Sequence, residues 1–285
     1  MSKRMWILAV LGFMTLAGSS ILSNYIYKDR VLIKAVLEGD AREAKHLLDQ
    51  GCDVNIKATN GTTALMAASS KGDIAMTKLL VEHGADVNDR CDQGITALLD
   101  AVSRGHLEIA RILLTAKADP NIRDKTGMNP MAEVAAQGNV DALDMLVRHG
   151  AKLNEKGPKG LTVLMLAIRS GKTQSVEALL RNGADANATD DEGFTPLMHA
   201  TVEGFREAVE LLLKSGSDVN SKDNSGGTAL MMASHEGHTD IVKLLAENGA
   251  DMNAREKSGK TALAMAKLRG NVATVGILES YGARE

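Results

Sequence analysis

Residues 228–253 read Thr228-Ala229-Leu230-Met231-Met232-Ala233-Ser234-His235-Glu236-Gly237-His238-Thr239-Asp240-Ile241-Val242-Lys243-Leu244-Leu245-Ala246-Glu247-Asn248-Gly249-Ala250-Asp251-Met252-Asn253. Thr228 suits a helix N-cap, because its hydroxyl can accept from an unsatisfied amide of the first turn. Small and apolar residues follow, and Gly237 stops the run. A second apolar stretch, Ile241-Val242-Lys243-Leu244-Leu245, keeps its large side chains on one helical face. Gly249 stands where a helix closes in the left-handed conformation, and Asp251 and Asn253 favour a reversal. The stretch therefore predicts helix, turn, helix, turn.

The same text repeats along the chain. Gly51-Cys52-Asp53-Val54-Asn55 returns as Gly84-Ala85-Asp86-Val87-Asn88, and again from Lys117, Gly150, Gly183, Gly216 and Gly249, always 33 residues on. Glycines 39, 72, 105, 138, 171, 204, 237 and 270 keep the same step. So do Thr63-Ala64-Leu65-Met66, Thr96-Ala97-Leu98-Leu99, Thr162-Val163-Leu164-Met165, Thr195-Pro196-Leu197-Met198 and Thr261-Ala262-Leu263-Ala264. One such module cannot bury its own apolar face, so neighbours must stack to make a core. Only 2% of residues are aromatic, against 44% hydrophobic. The core must then be built of Leu, Ala, Met, Val and Ile, with helices close together.

The period and the Thr-Pro-Leu-like run resemble the ankyrin repeat. The resemblance implies an all-α repeat solenoid of about eight 33-residue units, approximately 25–57, 58–90, 91–123, 124–156, 157–189, 190–222, 223–255 and 256–285. Two departures stand out. The family's His after Thr-Pro-Leu is replaced by Met66, Leu99, Ala132, Met165, Met198, Met231 and Ala264, so methionine packing must do its work. The Thr-Ala-Leu-Met form looks bacterial. The unit from Asp124 to Lys156 is irregular, with Asn129-Pro130 in place of Thr and its follower. The first unit, lacking turn glycines, reads as an N-terminal cap, and the last, ending Tyr281-Gly282-Ala283-Arg284-Glu285, as a C-terminal one.

Residues 1–22 are different. Met1-Ser2-Lys3-Arg4 precedes an uncharged apolar run from Met5 to Leu22, the pattern of an export signal. It is either a signal peptide cut near Ala17-Gly18-Ser19-Ser20 or a single N-terminal hydrophobic helix retained as an anchor. The poor cleavage motif favours the anchor. Lys3 and Arg4 favour a cytoplasmic N-terminus, although Lys28, Arg30 and Lys34 weaken the asymmetry. The expectation is a bacterial inner-membrane protein with residues 23–285 facing the periplasm, or a cleaved form soluble there or secreted.

Chemistry is sparse. No phosphate-binding glycine loop, nucleophile elbow or HExxH helix occurs, so no catalytic residue is expected. His106, His238, His83 and His149 occupy periodic positions that suggest structural roles. His235 and His238 form an i, i+3 pair without a third ligand, so neither metal nor cofactor is expected. Cys52 and Cys91 fall at unlike positions of neighbouring units, which does not suggest a disulfide. The net charge of −3 argues against nucleic acid, which needs a basic footprint.

The resemblance implies a protein partner, bound where turn tips and first-helix ends line a concave groove. Candidate contacts are Lys57, Lys71, Arg90, Arg104, Arg123, Lys125 and Arg169 at a basic end, and Asp191, Glu192, Glu203, His235 and Glu236 at an acidic end. These charges are read either as solubilising or as steering a partner of opposite polarity. Phe194 and Phe205 are candidate anchors or gap fillers. A secreted host-directed effector, or an accessory subunit stabilising a neighbouring enzyme, are the competing roles.

Overall fold

The computed structural model describes residues 31–284. The Met5–Leu22 segment and its two alternatives lie outside them. No helix among the described residues is long and apolar enough to cross a membrane. The chain forms two compact units, Met1–Lys125 and Thr126–Glu285, and their boundary falls at the start of the irregular 124–156 segment.

The first unit contains α1 (31–38), α2 (Ala41–Asp49), α3 (Ala64–Lys71), α4 (Ile74–Glu82), α5 (Ala97–Ser103) and α6 (Leu107–Thr115). The second holds α7 (Pro130–Gln137), α8 (Val140–Arg148), α9 (Val163–Arg169), α10 (Thr173–Arg181) and α11 (Pro196–Val202). It continues with α12 (Arg206–Lys214), α13 (Ala229–Glu236), α14 (Thr239–Glu247), α15 (Ala262–Arg269) and α16 (Val272–Ser280). The fold is all-helical. Among the described residues the only extended pairing is an isolated bridge between Lys57 and Thr63.

Odd-numbered helices begin as the spacing predicts. Thr63, Thr96, Thr162, Thr195, Thr228 and Thr261 are buried, and each hydroxyl accepts the amide three residues on. Asn129 does the same for α7 through its carbonyl, with Pro130 at the first helical position. Where the family places His, Met165 and Met198 turn sulfur back to the cap. Thr162 and Thr195 donate their amides to Sδ at 3.4 and 3.5 Å.

Even-numbered helices start at a residue that serves one of two ends. Asp40, Asp73 and Asn139 cap their own helix. Other residues at this place reach back to the preceding module instead. His106 meets Ser70 O and His238 meets Val202 O, each at 3.3 Å. The Asn271 carboxamide donates to the carbonyls of Ser234 and His235, each at 2.9 Å. Phe205 lies over Gly171, 3.5 Å from where a Cβ would be, and thus fills a gap in the stack.

The core runs along both helix rows. Leu80, Leu113, Leu146, Leu179, Leu212, Leu245 and Leu278 are all fully buried on the even-numbered helices. Burying each such side chain contributes about 1.5–3 kcal/mol. Ala67-Ala68, Ala101, Ala135, Ala167, Ala200, Ala233 and Ala266 are their small counterparts on the odd-numbered helices. Within each unit the odd-numbered helices pack more closely on one another than the even-numbered ones do, which puts the odd row on the inner side of the stack.

Two ladders join neighbouring modules. In the first, the carboxamide oxygens of Asn55 and Asn88 accept from Asp86 and Asp119 amides at 2.7 Å. In the second unit Asn154, Asn187 and Asn220 accept from Asp185, Asp218 and Asp251 at 2.8 Å. In the second ladder, tip amides bond to the preceding tip's carbonyls: Asp92 to Asn60, Lys125 to Gln93, Asp191 to Lys159, Asn224 to Glu192 and Lys257 to Ser225. The tip glycines allow this approach. A Cβ on Gly193 would stand 2.8 Å from the Asn224 amide nitrogen.

Candidate binding face

The Thr, Ala and Leu that recur along the helices are buried. At the ends of the odd-numbered helices, in contrast, the side chains are exposed and change from module to module: Lys71, Arg104, Gln137, Ser170, Glu203 and Glu236.

In the first unit much of the basic set is engaged by the fold. Lys57 Nζ donates to Asp89 Oδ1 at 2.5 Å, across the gap to the next module. Arg90 donates to Arg123 O at 2.7 Å and to Gly94 O at 3.4 Å. Lys71 donates to Leu37 O at 2.5 Å, and Arg104, just past α5, pairs with Asp100 of that helix at 2.9 Å. Lys125 is exposed and Arg123 half-buried. Arg90 and Lys57 therefore have a structural use that periodicity did not reveal.

In the second unit Arg169, Asp191, Glu192, Glu203 and Glu236 are exposed, and His235 is half-buried with its Nδ1 2.8 Å from Glu236 Oε1. A pair missed in the sequence lies on this face. His199 Nε2 donates to Asp190 Oδ2 at 2.9 Å, and both side chains are largely enclosed. Asp190 Oδ1 also accepts from the Glu192 and Phe194 amides. The Phe194 ring lies 5.5 Å from the imidazole. Burial pushes the His199 pKa below its ordinary value, while the Asp190 hydrogen bond opposes that shift. Arg169 lowers it further and Glu203 raises it, so these two flank the imidazole electrostatically. A sequence signal existed, because only this module has His directly after Met at the helix start.

Among the described residues no three His, Cys, Asp or Glu side chains converge. No disulfide joins Cys52 and Cys91. On the outer side of the first unit, a shallow hollow of about 460 Å³ lies between α4 and α6, floored by Val81, Ile112 and Ala116. Lys78, Glu82, Arg111 and Thr115 complete its lining.

The family model for ankyrin repeats matches three times, over residues 32–124, 131–223 and 215–284. Among the curated proteins none matches the chain.

Proposed function

Because the chain belongs to the ankyrin-repeat family, whose repeats are general protein–protein interaction modules, we propose that it is a scaffold that holds another protein against its inner face. The family is typically non-enzymatic. One observation carries the reading: the odd-helix ends expose side chains that change charge from module to module, next to helix positions that repeat. Stacking does not explain Arg169 or Glu203, and their opposite charges suit a partner of reversed polarity.

The array is read as about eight units behind a hydrophobic N-terminal helix, membrane-anchored with the repeats in the periplasm. Cleavage would instead give a soluble periplasmic or secreted form. The Lys3-Arg4 start and uncharged Met5–Leu22 run support this placement. Intact-mass measurement of the mature protein separates the two forms.

Affinity capture from native membranes tests the scaffold. Wild type is compared with a double charge reversal, Arg169→Glu with Glu203→Lys. A stoichiometric protein lost from the variant supports the reading. Equal capture by both, or no stoichiometric protein, refutes it.

A further inference from the structure

We propose that the inner face of the second unit takes an extended peptide segment of its partner, apolar at every third residue, acidic toward one end and basic toward the other. This rests on the reading of the inner face as the binding surface.

The residue just before each helix cap is Met128, Leu161 and Phe194 in three successive modules, then Gly227 and Lys260. The first three are half-buried, while Lys260 is exposed. The following internal module has no side chain at this place, in Gly227, and its helix still packs on both neighbours, so stacking does not demand an apolar side chain there. Three in succession form a partly open apolar row, and Phe194 is set against the His199 ring.

Neighbouring packed helices lie about 8–10 Å apart. Three residues of a polyproline-II chain cover about 9 Å and complete one turn, so residues i and i+3 return to the same side. An extended segment in that conformation therefore meets one row member every third residue. An α-helix would need about seven residues for the same advance.

Charge sets the polarity. Near Leu161 in the sequence Lys156, Lys159 and Arg169 are exposed, and near Phe194 so are Asp191, Glu192 and Glu203. Lys159 stands at φ 59° between Pro158 and Gly160, and its carbonyl accepts from the Asp191 amide.

Panning a phage-displayed library of random dodecapeptides against the full-length protein tests this. Enriched peptides should share apolar residues at i, i+3 and i+6, with acidic and basic residues at opposite ends. Their affinity should fall at least tenfold for Leu161→Lys, with thermal stability checked in parallel to show that the variant remains folded. Phe194→Ala gives a second reading of the same row. No enrichment, enrichment without that spacing, or equal binding to Leu161→Lys would overturn the proposal. If the captured partner still depends on Arg169 and Glu203, this inference alone fails; if that dependence is also missing, the scaffold reading fails with it.

Discussion

Replacing Gly193 by alanine should cost far more than replacing Gly183, although both have positive φ, 83° and 88°. Each substitution puts an L side chain in the left-handed region, at about 1–2 kcal/mol. At Gly183 a new Cβ meets nothing within 4 Å, so that penalty is the whole effect. At Gly193 it would stand 2.8 Å from both the Asn224 amide nitrogen and Oδ1. Relief requires the tips to separate, which breaks the bond from Asn224 N to Glu192 O and that from Asn224 Nδ2 to Asp191 O, both 3.0 Å. Each contributes about 0.5–1.5 kcal/mol net. The expected losses are therefore about 3 kcal/mol for Gly193→Ala and about 1–2 kcal/mol for Gly183→Ala. Urea unfolding followed by circular dichroism measures both, with the slope checked for a change in cooperativity. Equal losses would refute the argument that tip contact, rather than backbone conformation alone, requires Gly193.

Further substitutions probe other parts of the stack. Ser175 Oγ is buried without a hydrogen-bond partner, so Ser175→Ala should stabilise by up to about 1 kcal/mol in the same unfolding assay. Lys117 sits at φ 71° where other modules have glycine; Lys117→Gly should raise stability by about 1 kcal/mol. His199 has a depressed folded pKa. Its contribution to stability is therefore present above the ordinary value of about 6.5 and lost as pH falls through the lower folded value. Melting temperature against pH should drop more steeply there for wild type than for His199→Gln, and an NMR titration of the imidazole should give a midpoint below about 6.5.

The modules were legible because one mechanical requirement produces each mark. A Thr cap, a stop glycine and a buried leucine recur wherever the next module must stack, so Thr63 and Leu80 announce themselves in Thr228 and Leu245. Long-range partners were not legible. Periodicity places Lys57 and Arg90 in one basic row, but it does not say that Lys57 meets Asp89 or that Arg90 folds onto carbonyls. Phe194 stands out in the sequence as a candidate anchor, but its row with Met128 and Leu161 does not, because the three residue types differ. Nor did periodicity show that Leu268 of α15 and Val272 of α16 are 69% and 80% exposed.

Site-specific photocrosslinking in the native host tests the binding face most directly. A photoreactive residue replaces Val202, exposed at the end of α11, or Lys243, exposed on α14 in the even-numbered row. The account predicts a discrete protein adduct from position 202 and none from position 243. An adduct from 243 alone, or none from 202, would contradict it.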